Sequence, residues 1–302
     1  MKKQKIVVIV GPTAVGKTAI SIELAKKFDA EIVSADSIQI YKDLNIGSAK
    51  VRENEKQGVV HHLIDIVSPK ASYSAGDYSK DAKKAISQIA KRGKLPIVVG
   101  GTGMYVSSLL FEMGVSCGKD EKYRAELEEI YKEKGSAFLH QMLEQIDPDS
   151  ASKIHPNHQT RIIRALEIYH LTGKKKSEQV SSKDSNYDYL LIGLTAPRDT
   201  LYERINQRVD KMLEEGLIEE VRGLISQGVS DKDQCMQGIG YKQTYEYLCS
   251  NMPEEEYIEK LKQASRNYAK RQMTYFKKMP NIVWKTYEEK DEIFQMVQDF
   301  LK

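Results

Sequence analysis

Eight consecutive residues, Gly11-Pro12-Thr13-Ala14-Val15-Gly16-Lys17-Thr18, have the spacing G-x-x-x-x-G-K-[ST] of a loop that encloses a polyphosphate. The residue types supply the chemistry. The glycines let successive backbone N–H groups turn inward around an anion, Lys17 adds a point charge, and the Thr18 hydroxyl can hold Mg²⁺. The flanks agree with that reading. The apolar run 6–10 reads as a buried strand and 19–28 as a helix, whose N-terminus adds positive potential. A chance match in a glycine-rich turn is the competing reading, and the strand–loop–helix context speaks against it. The loop calls for a polyphosphate, with or without a nucleoside attached.

A second group of candidates lies beyond the next apolar run, 31–34. Asp36 follows it, at the carboxyl end of a strand. There a carboxylate can hold a metal ion or act as a general base beside a phosphate site. Its plain structural alternative is to cap the next helix. Asp65, in the segment His61-His62-Leu63-Ile64-Asp65, competes for the metal role, while the paired histidines lack a third ligand at a zinc spacing. Basic side chains recur at helical spacing. Arg161 and Arg164 are three apart, with Ile162, Leu166 and Tyr169 on the core-seeking face. Arg204 and Arg208 are four apart and either form a solvated face or reach a diphosphate. In 265–278, Tyr268, Arg271, Tyr275 and Lys278 share one stripe and Arg266, Lys270 and Lys277 another. That pattern suits a phosphate backbone with unstacked bases as well as it suits solvated charge over a core stripe.

These residues need a frame. Over the first hundred residues apolar strands (6–10, 31–34, 63–66, 95–99) alternate with helical patterns (19–28, 78–92), which predicts a parallel, doubly wound α/β sheet with sites at the strands' carboxyl ends. The texture changes near residue 114. Segments 119–134, 140–146 and 160–171 are helical and 173–186 is polar, so 116–188 reads as a helical insertion into the phosphate-loop core of 1–115. The remainder, 189–302, returns to the core through a strand at 189–195 and is then mostly helical, with Leu201, Ile205, Val209 and Met212 inward and Gly216 as a stop. At 302 residues, with 40% hydrophobic side chains, the chain can bury a substantial core. A net charge of +3 leaves no global field for nucleic acid, so any such surface must be a local patch. The basic start and short apolar run lead into the loop, not into a cleavage site, and no apolar stretch reaches transmembrane length. Cys117, Cys235 and Cys249 have neither metal spacing nor even pairing, which suits a reducing cytoplasm.

In combination the chain resembles the tRNA dimethylallyltransferases, also called tRNA isopentenyltransferases, over almost its whole length. The resemblance rests on the loop 11–18, Asp36-Ser37-Ile38-Gln39-Ile40-Tyr41, His61-His62-Leu63-Ile64-Asp65-Ile66, Tyr73-Ser74-Ala75-Gly76-Asp77-Tyr78 and Val99-Gly100-Gly101-Thr102-Gly103-Met104-Tyr105. It continues through Ile154-His155-Pro156-Asn157, Thr160-Arg161, Arg164-Ala165-Leu166-Glu167, Gly238-Ile239-Gly240-Tyr241-Lys242-Gln243 and Tyr268-Ala269-Lys270-Arg271-Gln272. The loop alone is promiscuous; the ordered set is specific.

The resemblance implies an enzyme that moves a dimethylallyl group from dimethylallyl diphosphate to N6 of adenosine 37 in a tRNA anticodon loop, using Mg²⁺. Residues Gly11 to Thr18 would hold the diphosphate. Asp36 would take the proton from the attacking amine, and Thr13 and Arg208 would steady the leaving group. The adenine would be flipped into a channel between core and insertion. Asp36, Ser37, Ile38, Gln39, Thr102, Arg124, Thr160, Arg161, Ile162, Ile163, Arg164, Gln237, Gly238, Ile239, Gly240, Tyr241 and Lys242 fall where the family meets tRNA, and Arg271 joins them from the basic helix. Lys242 stands where the family frequently has arginine and Gln237 where it has another basic residue, a lighter complement of phosphate contacts. A monomer in the cytoplasm, away from membranes, is the expected form. The rivals are a phosphate-loop kinase, which lacks an arginine-rich lid here, an adenylate prenyltransferase, which needs neither the insertion nor the Arg271 helix, and an RNA-binding module, which does not need an intact Gly16-Lys17-Thr18.

Overall fold

The computed structural model describes residues 3–112, 118–178 and 182–302; Cys117 and the change of texture near residue 114 lie outside the described residues. The chain begins with β1 (Gln4–Val10), α1 (Lys17–Lys27), β2 (Ala30–Ser34), α2 (Glu53–Lys56), β3 (His61–His62), α3 (Ala75–Lys91), β4 (Leu95–Gly100) and α4 (Gly103–Leu110). It continues with β5 (Phe111–Glu112), α5 (Glu121–Ile146), α6 (Pro148–Ala151), α7 (Gln159–Thr172) and β6 (Ser182–Ser185). The last part holds β7 (Tyr187–Thr195), α8 (Arg198–Glu214), α9 (Leu217–Ser226), α10 (Tyr241–Leu248), α11 (Glu254–Phe276), β8 (Ile282–Thr286) and α12 (Lys290–Leu301). Residues 1–110 and 186–302 make one compact unit and 111–185 another.

The first unit is built on a six-stranded sheet of order β3-β2-β4-β1-β7-β8, every neighbouring pair parallel. Residues Ile6 to Val10 of β1 are all fully buried, as a central parallel strand covered on both faces requires. Val7 and Ile9 pack in one core cluster with Ile20 and Leu24 of α1 and Ile293 and Val297 of α12, while α3 lies against β2 and β4. Since β2, β4 and β1 are adjacent and parallel, the loops that leave their carboxyl ends (11–16, 35–40 and 101–102) come out side by side at one edge. That edge is where an open α/β sheet carries its ligand.

The second unit packs α5 against α7 around Leu127, Leu139, Leu143, Ile162 and Leu166. Gly135, at φ 80° and ψ 176°, breaks the α5 path in two. The short β5 pairs antiparallel with β6, so part of the polar stretch 173–186 is strand.

Three more expectations need correction. The third strand is His61–His62, not 63–66, because Leu63 and Asp65 take positive φ values of 61° and 58° that a strand does not allow. The tail is less purely helical than its periodicity suggests, since Ile282–Thr286 adds the edge strand β8 beside β7. Tyr169 is exposed and does not belong to the inward face of α7.

Candidate active site

The phosphate loop takes its shape from the strand it leaves and the helix it enters. Gly16 stands at the N-cap of α1 with φ 97°, a conformation that a side chain would strain. Lys17 folds back over the loop, donating from Nζ to the carbonyls of Gly11 (3.0 Å) and Pro12 (2.6 Å). Desolvation, reinforced by the nearby Arg208 guanidinium and opposed by Asp36, brings its pKa down from 10.5 to about 7. Arg208, from α8, is likewise lowered by desolvation, with Asp36 and Glu55 pulling the other way. Two basic groups and one carboxylate therefore share a common space, and neither basic group makes an ion pair among the described residues. The Thr18 hydroxyl at the first turn of α1 makes no hydrogen bond among the described residues, and Thr18 is exposed.

Asp36 follows β2. Its Oδ1 accepts the backbone N–H groups of Ile38 (2.9 Å) and Gln39 (3.2 Å), which caps the turn 37–40; Oδ2 makes no hydrogen bond among the described residues. One oxygen is thus structural and the other is free for chemistry. Thr102, after β4, fixes the same turn: its Oγ1 accepts the Ser37 N–H at 3.0 Å, and its own N–H donates to the Ala35 carbonyl. Gln39 extends the wall by donating from Nε2 to the carbonyls of Ser48 and Ala49.

The phosphate loop, Asp36, Gln39 and Arg208 line one cavity of about 720 Å³. Its lining includes residues 13–18, Asp36 to Gln39, Arg208, 237–240, Tyr268 and Arg271. Ile205, Val209 and Met212 of α8 and Leu261 of α11 add apolar surface to it. Tyr268 lies in this lining beside Asp36; desolvation and that carboxylate raise its pKa to about 12, so its hydroxyl stays neutral. The Arg271 guanidinium lies 5.7 Å from the Tyr268 ring centroid. The aromatic half of the basic stripe is therefore engaged within the fold: Tyr268 in this cluster, and Tyr275 through a 2.9 Å bond to Ser107 Oγ. Lys277 and Lys278 lie beyond the end of α11.

Several sequence candidates turn out to be structural. Tyr241 is fully buried, its hydroxyl donating to Glu220 Oε1 (2.7 Å) and accepting from the Ser48 N–H (3.2 Å), so its side chain cannot meet a solute. Ile162 and Ile163 are core residues of the helical unit for the same reason. Arg124 and Arg164 converge on the fully buried Glu167, which also accepts the Asp120 N–H. Desolvation alone would raise the Glu167 pKa; the two guanidinium groups overrule it and hold the carboxyl at about 2. Thr160 and Arg161 are exposed on α7, and Lys242 and Gln237 are exposed in the first unit. Asp65 is withdrawn from any metal role at the phosphate loop: it pairs with Lys50 and does not line the cavity. His62 meets Glu31, and His61 meets the Val59 carbonyl.

Two residues of the site carry no chemical signal in the sequence. Glu220, on α9, accepts the N–H groups of Asn45 (2.9 Å), Ile46 (2.8 Å) and Gly47 (3.1 Å) and so holds the loop whose residues 47–49 wall the cavity. Gln272, on α11, accepts the Thr13 N–H at 2.9 Å and donates to the Gly101 carbonyl at 2.9 Å. Their partners lie more than 170 residues away in sequence.

A family model described as IPP transferase matches residues 39–279. A "tRNA dimethylallyltransferase" of Bacillus cereus is 46% identical over 287 residues, 94% of this chain and 90% of its own length. One of Oceanobacillus iheyensis is 48% identical over 285 residues, 93% of this chain and 91% of its own. Among solved structures, the tRNA isopentenylpyrophosphate transferase of Bacillus halodurans superposes with a TM-score of 0.75 at 45% identity, covering 99% of this chain and 97% of that one. A eukaryotic dimethylallyltransferase described as acting on tRNA reaches a TM-score of 0.84 at 32% identity, covering 99% of this chain and 79% of that one. With a parallel α/β core, a phosphate loop facing a carboxylate, and this likeness along nearly the whole chain, the protein belongs to the IPP transferase family.

Proposed function

We propose that this protein transfers a dimethylallyl group from dimethylallyl diphosphate to N6 of an adenosine, position 37 by the family pattern, in a tRNA anticodon loop, releasing diphosphate. The observation that carries the reading is that Asp36, with one carboxylate oxygen unengaged among the described residues, shares a single cavity with Lys17 and Arg208, two basic groups that make no ion pair among the described residues. A diphosphate seated in the loop 11–18 meets Lys17, Arg208, the N-terminus of α1 and the Thr13 hydroxyl. These groups stabilise the charge that grows as the bond from the allylic carbon to oxygen breaks. The five-carbon group lies against the apolar lining. As the N6 lone pair forms the new C–N bond, the electrons of the breaking C–O bond leave with the diphosphate, and the N6 proton passes to Asp36 Oδ2. The turn held by Thr102 and by Asp36 Oδ1 keeps that carboxylate in place.

The residues present fit Mg²⁺, which binds through one or two protein oxygens and substrate phosphates while keeping several waters. Thr18, exposed and in the lining of the cavity, would hold the ion through its hydroxyl, and the ion would add charge neutralisation on the leaving group. Exposed basic groups, Arg271 at the cavity and Arg161 in the helical unit, suit an RNA backbone. Among the described residues no helix is long and apolar enough to cross a membrane.

The test is incubation with labelled dimethylallyl diphosphate and either unmodified bulk tRNA or free AMP, followed by nucleoside analysis. Label on adenosine from tRNA supports the proposal. Label in AMP alone makes the protein an adenylate prenyltransferase, and ATP turnover without prenyl transfer makes it a kinase; either result overturns it.

A further inference from the structure

Gln272 links the two halves of the cavity. It is 6% exposed and comes from α11, far in sequence from both of the loops it touches. Its amide oxygen accepts the Thr13 N–H at 2.9 Å, and its amide nitrogen donates to the Gly101 carbonyl at 2.9 Å. Gly101 is followed directly by Thr102. Thr102 then fixes the Ser37 N–H beside Asp36. One amide thus joins the loop that holds the anion to the turn that carries the base. The neighbouring backbone is shaped to admit it: a Cβ on Gly101 would sit 2.2 Å from the Gln272 nitrogen, so any side chain there displaces the amide.

The bond to Thr13 differs from the other contacts of the phosphate loop. In an anion-binding loop the backbone N–H groups turn toward the ligand. The Thr13 N–H is instead engaged by Gln272, while Thr13 lines the cavity and its hydroxyl makes no hydrogen bond among the described residues. From this geometry we infer that Gln272 is a positioning residue: it orients Thr13 for the diphosphate and ties that orientation to the Asp36 turn. The inference rests on the prenyl-transfer reading for its biological meaning, but its test needs only the anion site.

The probe is inorganic diphosphate, titrated by calorimetry into the full-length protein. The variants are Gln272→Met, which removes both amide bonds at similar volume, Thr13→Ala, and the double variant. Loss of a buried hydrogen bond that leaves the Thr13 N–H unsatisfied should weaken diphosphate binding about tenfold. In the Thr13→Ala background the same substitution should cost less than about threefold, because the hydroxyl it positions is already gone. A merely structural glutamine gives the opposite pattern, with equal losses in both backgrounds. In steady-state assays Gln272→Met should raise the KM for the prenyl donor and leave that for tRNA within about twofold. Should Gln272→Met not fold, Gly101→Ala, which keeps the glutamine and displaces its amide, takes its place in the cycle. Diphosphate affinity within twofold of the parent, or additive losses, overturns the inference. A parent protein that binds diphosphate but prenylates no RNA overturns the proposed function alone.

Discussion

Diphosphate binding should draw a proton onto Lys17. In the free protein its Nζ donates to two loop carbonyls in a desolvated setting beside Arg208, and its pKa stands at about 7. At pH 8 such a group is about nine-tenths neutral, and at pH 6 about one-tenth. A bound diphosphate places anionic oxygens against it and favours the ammonium form, restoring the pKa toward its unperturbed 10.5. Binding at pH 8 should therefore take up about 0.9 proton at this site, and at pH 6 about 0.1. The sign of the pH effect follows. The lysine's contribution to affinity is complete below about 7 and falls about tenfold per pH unit above it, until the pKa of the bound state is reached. In the free protein the same shift makes stability rise with pH between about 7 and 10.5, because the unfolded chain holds the proton longer. The assay is calorimetry at pH 8 in two buffers of different ionisation enthalpy, on the parent and on Lys17→Arg. Arginine stays charged throughout, so the difference between the two proteins removes the protonation of diphosphate itself. A difference below about 0.3 proton at pH 8, or the same difference at pH 6, refutes the reasoning.

Asp36→Asn keeps an oxygen to accept from Ile38 and Gln39 while removing the base. Single-turnover prenyl transfer should fall by about 10²–10⁴, with tRNA affinity within a few fold; a rate within about threefold of the parent removes Asp36 from that role. Glu167→Gln leaves Arg124 and Arg164 without their buried counter-charge and should cost about 3–5 kcal/mol in thermal or denaturant unfolding. The folded pKa of Glu167, about 2, is below its unfolded 4.5, so its contribution is complete above 4.5 and lost as pH falls toward 2. The parent's melting temperature should accordingly drop faster than the variant's across that window. Arg271→Ala should weaken tRNA binding and lower the slope of log affinity against log salt by about one, since this exposed guanidinium has no ion pair among the described residues. An unchanged slope with a lower melting temperature would give Arg271 a purely structural role.

How much of this was legible in the sequence depended on the range of the interaction that placed each residue. The loop 11–18 and the strands beside it are local: an apolar run buried on both faces and a glycine pattern state their own conformation, and the parallel order then brings Asp36 and Thr102 to the loop. The segment 63–66 misleads because its apolar letters describe a turn with two positive-φ residues. Strand β8 escapes notice because Ile282 to Thr286 lies at an edge, partly exposed, and takes its register from β7 some ninety residues earlier. Motif letters likewise mark where a residue matters without saying how. Gly240-Tyr241-Lys242 and Thr160 to Arg164 lie in segments where the family resemblance places RNA, yet Tyr241, Ile162 and Ile163 are in the core. Arg124 and Arg164, partly exposed, are both matched to a carboxylate that no solvent reaches. Gln272 shows the converse. An amide has no charge and titrates nowhere, so the motif 268–272 that ends on Gln272 says nothing of its role. Its importance arises only when the fold puts a donor and an acceptor from two distant loops at 2.9 Å from its two ends. The chemistry of the site is written in local motifs, and the geometry that makes them act together is written in long-range pairings that periodicity cannot express.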